Sequence, residues 1–191
     1  MILATLEPFR DELQGIVVES TFNWYWLVDG LMDAGYRDLH LANPCAVKQY
    51  EGLKYSDDRH DAFWLAHLLV LGILPEGYIY PKKDRPVRDL LRKRSFLVRQ
   101  RTSLILSLQS MIERHESERL SSKEIKALNV SDLGTIFKED HLLLSAEANV
   151  STISFLSNQI NQIQKAVKKK VKLSKSFEYL RTVPGIGEIL P

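Results

Sequence analysis

The sequence is poor in cysteine, and it lacks a long apolar run. One cysteine, Cys45, among 191 residues excludes an intramolecular disulfide framework and is typical of a reducing cytoplasm. No apolar run approaches the roughly 20 residues that a membrane span needs, and the short apolar start has no basic segment before it, as a signal peptide would. We therefore expect a cytoplasmic protein of one or two globular domains that does not cross a membrane.

The net charge is also small, but the charges are unevenly distributed. The chain carries 26 lysines and arginines against 24 acidic residues, which leaves a formal charge of +2. Basic residues crowd two stretches, one from Arg85 to Arg101 and one from Lys165 to Lys175. Such clusters can bind a phosphate backbone, although a solvated helix face is an equally common reason for a basic run.

Strand and helix patterns alternate over the first eighty residues. Residues 16–21 form a short β-branched run typical of a buried parallel strand, and residues 37–42 resemble a second one. A helix is predicted between them, over residues 24–34. This order predicts an α/β layer with a parallel strand pair, in which ligands bind at the carboxyl ends of the strands. Glu19 lies at such an end.

A second acidic feature follows, where Asp58 and Asp61 begin a predicted helix. Side chains three residues apart share a helix face, and the apolar run from Ala62 predicts that the first turn is docked and buried. Carboxylates fixed in such a place need a cation. Together with Glu19 they would suit a divalent metal. The more frequent meaning of Asp-x-x-Asp is a solvated helix start that complements the helix dipole.

Several stretches resemble the DEDD class of insertion-sequence transposases, the bridge-RNA-guided recombinases with a RuvC-like, RNase H-type catalytic domain. The resemblance lies in VVEST at 17–21, NWYWLVD at 23–29, LANP at 41–44, VK at 47–48 and SDDRHDA at 56–62, and it continues at 72–75, 88–94, 97–102 and 182–187. It covers almost the whole chain. It implies a DNA strand cutting and joining activity, with DNA and a structured guide RNA as partners.

The resemblance also implies roles for individual residues. Glu19 would be the glutamate of the catalytic tetrad, and Asp58 and Asp61 its last two aspartates, with Asp57 as second choice for the third position. The cation would be Mg²⁺, with two ions acting in strand cleavage. The basic residues implied to contact nucleic acid are Arg88, Arg92, Lys93, Arg94, Arg99, Arg101, Lys168, Lys169 and Lys170.

The sequence departs from the family pattern at both ends. The family's first tetrad aspartate lies on a strand upstream of the first helix, whereas this chain starts inside that helix. The family's nucleophilic serine lies in a C-terminal domain, beyond Pro191. We therefore expect a fragment with an incomplete Mg²⁺ site that is inactive as a separate molecule. Asp29 and Asp38 stay open as a further carboxylate.

The rest of the chain predicts long helices. Apolar residues recur every seven positions from Leu90 to Met111 and alternate in steps of four and three from Leu142 to Val167, with Asn149 as a polar residue able to fix register. The expected fold class is α/β plus α: a truncated RNase H-like (RuvC-like) domain at 1–80, a long antiparallel helical hairpin with a small helical tip at 84–175, and the start of a C-terminal transposase domain at 176–191, with an incomplete helix-hairpin-helix-like turn. Uncovered apolar surface on the hairpin predicts a homo-oligomer. The alternative function is a non-catalytic coiled-coil module for oligomerisation and nucleic-acid binding.

Overall fold

Helices account for most of the regular structure, and a small three-stranded sheet accounts for the rest. The computed structural model describes residues 1–48, 57–171, 178–180 and 182–184. The chain divides into two units, Met1–Pro81 and Lys82–Pro191. The fold is therefore mixed α/β and mostly helical.

The sheet lies in the first unit, where β1 (Ile16–Glu19) and β2 (Leu39–Ala42) are parallel and β3 (Glu76–Gly77) adds an antiparallel edge. Glu19 at the end of β1 is paired in register with Ala42. The parallel pair predicted from the β-branched run is confirmed, whereas the two-residue β3 was not predicted because so short a strand carries no pattern. The elements are α1 (Ile2–Leu6), a 3-10 turn (Glu7–Phe9), β1 (Ile16–Glu19), α2 (Trp24–Asp33), β2 (Leu39–Ala42), α3 (Pro44–Val47), α4 (Asp58–Val70) and β3 (Glu76–Gly77).

The helix α2 packs its inward face on this sheet. Trp24, Val28 and Leu31 follow the helical period and are buried together with Val18 and Leu41 from the strands. The helix ends where Gly35 takes a positive φ of 90°, a conformation that costs glycine little. The N–H of Tyr36 then donates to the C=O of Leu31 at 3.0 Å. The core of the first unit is thus built on the parallel strand pair.

The helix α4 is less buried than the sequence predicted. Asp57 caps it by accepting a hydrogen bond from the N–H of His60 at 2.7 Å. The expectation of a buried first turn is wrong, because Asp58 and Asp61 are exposed and Phe63 is 70% exposed. The apolar residues after Asp61 do not form one stripe: Phe63 lies about 140° around the helix from the buried Leu68. Only the face around Leu68 packs on the strands.

The second unit is an antiparallel hairpin of two 32-residue helices with a helical tip. Arg101 on the first helix donates to the hydroxyl of Ser157 on the second at 3.2 Å. Nearer the tip, Ile112 of the first helix and Ala146 of the second belong to the same buried cluster. These two contacts show that the helices run antiparallel. The apolar columns predicted from the sequence lie between the helices, as Ile105, Leu108 and Ile153 show. The elements are α5 (Arg85–Glu116), α6 (Ser122–Ala127), a 3-10 turn (Val130–Asp132), α7 (Leu133–Ile136) and α8 (Asp140–Val171).

Caps set the start of the tip helices. The residues Ser121-Ser122-Lys123-Glu124 favour a capping box, and Ser121 and Glu124 form it at the start of α6. The hydrogen bonds from Ser121 lower the pKa of the Glu124 carboxyl. For the next helix the sequence offers Ser131 or Asp132 as the cap, and Asp132 takes the N-cap position of α7, while Asn129 and Asp132 form a capping box on the 3-10 turn before it. The side-chain amide of Asn149 donates to the C=O of Ser145 in its own helix at 3.1 Å. This hydrogen bond therefore does not set the register between α8 and α5. None of the helices in the described ranges is long and apolar enough to cross a membrane.

Candidate active site and candidate nucleic-acid surface

Glu19, Asp58 and Asp61 line one pocket in the first unit. The pocket has a volume of about 530 Å³ and lies where the carboxyl end of β1 meets the first turn of α4. The three residues therefore line one concave surface, although 39 positions separate Glu19 from Asp58 in the chain.

The backbone positions these carboxylates in two ways. Glu19 ends a strand whose ladder continues with the N–H of Ser20 donating to the C=O of Ala42 at 3.0 Å. The helix α4 is held beside β1 because Leu65 and Val17 pack around the same buried cluster. Asp58 and Asp61 lie at the amino end of α4, where the helix dipole favours negative charge. The site can thus hold three carboxylates that remain in contact with water.

The donor chemistry fits Mg²⁺, but the side chains do not form a closed cage. Glu19, Asp58 and Asp61 are all exposed, and the described ranges contain no group of three or more His, Cys, Asp or Glu residues close enough together to hold a metal ion. Mg²⁺ commonly binds to one or two carboxylates and takes its other oxygens from water and substrate phosphates. An open pocket of carboxylates is compatible with that mode of binding.

The other acidic candidates lie elsewhere. The side chain of Asp57 caps α4, so its oxygen already serves the backbone. Asp38 lines a different pocket, with Arg10 and Arg37. Asp29 lies on α2, with one carboxylate oxygen buried, and is not among the residues that line the carboxylate pocket. No fourth carboxylate of the described residues joins the three.

Trp26 is a functional candidate that the sequence leaves open. By their chemistry Trp24, Trp26 and Trp64 could stack on bases, although their spacing favours a place in the core, and Trp24 is indeed buried while Trp64 is partly buried. Trp26 is instead 57% exposed and lines the carboxylate pocket. Two residues along a helix turn a side chain by about 200°, so Trp26 points away from the face that buries Trp24. The rotation of about 200° between Trp24 and Trp26 on one helix is the feature of the sequence from which the exposure of Trp26 could have been predicted.

The two basic stretches lie at the same end of the hairpin in the second unit. Arg94 of α5 lies beside Gln164 of α8. With the Gln164 amide oriented so that its oxygen faces Arg94, this oxygen accepts hydrogen bonds from the Nη2 and Nε of Arg94 at 2.9 and 3.1 Å. Arg88 and Lys168 are partly buried, and the ammonium of Lys93 lies 5.0 Å from the centre of the Phe96 ring. The predicted residues that are exposed are Arg92, Lys93, Arg99, Lys169 and Lys170. Lys172 and Lys175 lie outside the described residues, as do residue 56 and residues 185–187 of the family motifs.

Arg94 and Arg101 differ from the other basic residues because they lie between the helices. Arg101 donates to the hydroxyl of Ser157 at 3.2 Å, and its Nε is buried without a hydrogen-bond partner among the described residues. Burial lowers the pKa of the Arg101 guanidinium, and the positive charge of Arg94 lowers it further. These contacts give both residues a role in the hairpin itself.

We expect Arg101→Met to raise the stability of the hairpin. Replacing a partly buried, incompletely paired cation by an apolar side chain is often stabilising, here by about 1 kcal/mol or more. Ser157 is not stranded, because its hydroxyl also donates to the C=O of Ile153 at 2.7 Å. Urea unfolding followed by circular dichroism measures the change, with the exposed Arg99→Met as the matched control. A loss of stability in Arg101→Met would show that the charge is needed between the helices.

None of the models of known protein families matches this chain, and none of the curated proteins matches it either.

Proposed function

We propose that this chain belongs to a transposase or recombinase of the DEDD class, which cuts and joins DNA strands with a divalent metal. In this proposal the first unit is an RNase H-like (RuvC-like) domain, and the second unit holds DNA or a structured guide RNA through its exposed basic residues. The observation that carries the proposal is the convergence of Glu19, Asp58 and Asp61 on one pocket at the carboxyl end of a parallel strand.

The side chains have separate tasks in this proposal. Mg²⁺ would be held by one or two of the carboxylates of Glu19, Asp58 and Asp61, and water and the substrate phosphate would complete its coordination. Bound Mg²⁺ would activate the attacking oxygen and stabilise the leaving one. The cap at Asp57 keeps the first turn of α4 in place, so that Asp58 and Asp61 face the pocket together.

Metal binding provides the test. We expect Glu19→Gln and Asp61→Asn each to weaken Mn²⁺ binding by about tenfold or more, because even the outer-shell partners of metal ligands typically contribute that much. Isothermal titration calorimetry of the chain with a phosphate-containing oligonucleotide present measures this affinity. The control is Glu12→Gln, an exposed acid of the same unit that does not line the pocket.

Unchanged metal affinity in the two variants would contradict the proposal. If Glu19→Gln and Asp61→Asn bind Mn²⁺ as tightly as the unmodified chain, the three carboxylates do not form a metal site. In any form of this protein that cuts DNA, Glu19→Ala, Asp58→Ala and Asp61→Ala must each abolish the metal-dependent cutting. Cutting that survives all three substitutions would contradict the assignment of these residues.

A second candidate function is a non-catalytic module for oligomerisation and nucleic-acid binding. It is favoured by two exposed apolar residues of α8, Leu144 and Phe155, which are 66% and 61% exposed. They are three turns apart and share a face of the helix that points away from α5, so a second hairpin would cover them as a homo-oligomer. The two candidates differ in one observable: nucleic-acid binding by the module is insensitive to Mg²⁺ and to substitution of Glu19.

A further inference from the structure

The carboxylate pocket has an apolar neighbour. A second pocket of about 380 Å³ lies between α1 and α2 in the first unit, and its lining includes Ile2, Leu3, Gly30 and Leu31. Trp26 and Leu27 line both this pocket and the one that holds Glu19, Asp58 and Asp61. The two pockets therefore share a wall made by two consecutive residues of α2.

The properties of the two pockets are complementary. The carboxylate pocket presents oxygen ligands suited to a cation and, through it, to a phosphate. The apolar pocket has a large, half-exposed indole on its wall and falls in the volume range of small-molecule sites. A nucleotide is a molecule with both properties, since its anionic phosphate is joined through a sugar to a flat aromatic base.

We propose that the apolar pocket receives an unpaired nucleobase that stacks on Trp26, while the adjoining phosphate reaches the carboxylates of Glu19, Asp58 and Asp61 through a divalent cation. The proposal rests on the proposed function and names its substrate class: a strand with at least one unpaired nucleotide beside the reacting phosphate. A base within an intact duplex is stacked and paired on both sides and does not enter such a pocket unless it is extruded. Stacking on an aromatic side chain is also the usual way in which proteins hold single strands.

Trp26 provides its own spectroscopic signal for the test. The chain is titrated with a short oligothymidylate and with an abasic oligomer of the same length, which has the same phosphates and no bases. We expect the oligothymidylate to quench tryptophan fluorescence, the abasic oligomer to leave it unchanged, and Trp26→Phe to lose most of the quenching. Trp26→Ala is expected to bind the oligothymidylate roughly 5- to 150-fold more weakly, the equivalent of one stacked base, and to bind a blunt duplex within about twofold of the unmodified chain.

The control is Phe9→Ala, because Phe9 belongs to the same unit and is 54% exposed, close to the 57% of Trp26. Equal quenching by the abasic oligomer, or unchanged oligothymidylate affinity in Trp26→Ala, would overturn the proposal. Its failure is distinguishable from that of the metal site. If Glu19→Gln and Asp61→Asn keep their Mn²⁺ affinity while the base-dependent quenching persists, the proposed function fails and the base pocket stands.

Discussion

Phe137→Ala is expected to lower the free energy of unfolding of the second unit by about 3–5 kcal/mol. Phe137 is the largest of the fully buried side chains, with 1% of its surface exposed. It lies in one buried cluster with Ile112, Ile125 and Leu133, which joins the tip helices to the long hairpin. The substitution leaves a cavity that rigid helices on several sides cannot close. Urea unfolding followed by far-UV circular dichroism measures the loss.

Phe155→Ala is the matched control, since it makes the same chemical change at a residue of α8 that is 61% exposed. We expect it to change the unfolding free energy by no more than about 0.5 kcal/mol. A similar loss in both variants would mean that Phe155 is covered in solution, as in the homo-oligomer proposed above. A negligible loss in Phe137→Ala would show that the tip is not part of the hairpin core.

The long helices were predictable because their pattern is local and repeated. Seven-residue columns such as the one from Leu90 to Met111 specify which face is buried without knowledge of the partner, and the box of Ser121 and Glu124 specifies a helix start by itself. The short helix α4 was harder, because Leu68 alone is fully buried there. Its exposure depends on which strand lies opposite, and that is a property of the tertiary structure. The strand β3 depends in the same way on its antiparallel contact with β2.

The sequence allowed us to expect Glu19, Asp58 and Asp61 at one site, but not the exposure of Trp26 on the wall of that pocket. The strand-end position of Glu19 and the helix-start position of Asp58 and Asp61 follow from rules on where α/β sheets bind ligands. Whether Trp26 lies inside or outside depends on the rotational phase of α2, which the neighbouring Trp24 sets by occupying the core. The basic residues show what the repeat adds to composition. Composition marks Arg94 and Arg101 as equivalent to Arg92 and Arg99, but the seven-residue spacing places Arg94 and Arg101 in the seam between the apolar columns. Their contacts with Gln164 and Ser157 agree with that position between the helices.

The exposed basic residues, unlike Arg94 and Arg101, are free of the helix interface and can contact a phosphate backbone. Replacing the five exposed basic residues at the open end of the hairpin by glutamine should reduce the affinity for duplex DNA and structured RNA alike. Each phosphate contact that is lost lowers the salt dependence of binding by about one unit of slope, so a loss of about four to five units is expected. Fluorescence anisotropy across a series of salt concentrations measures both quantities. The substitutions are Arg92→Gln, Lys93→Gln, Arg99→Gln, Lys169→Gln and Lys170→Gln.

The control removes the same number of positive charges at the other end of the same unit. Its substitutions are Arg114→Gln, Arg119→Gln, Lys123→Gln, Lys126→Gln and Lys138→Gln, all at exposed residues in or beside the helical tip. Because both variants have the same net charge, a general electrostatic attraction predicts equal losses, whereas a defined surface predicts a loss only in the first. Arg101→Met belongs in the same series, since a residue that acts between the helices should leave the salt slope unchanged even as it alters stability. A fall in slope for Arg101→Met would place its guanidinium on the nucleic acid after all.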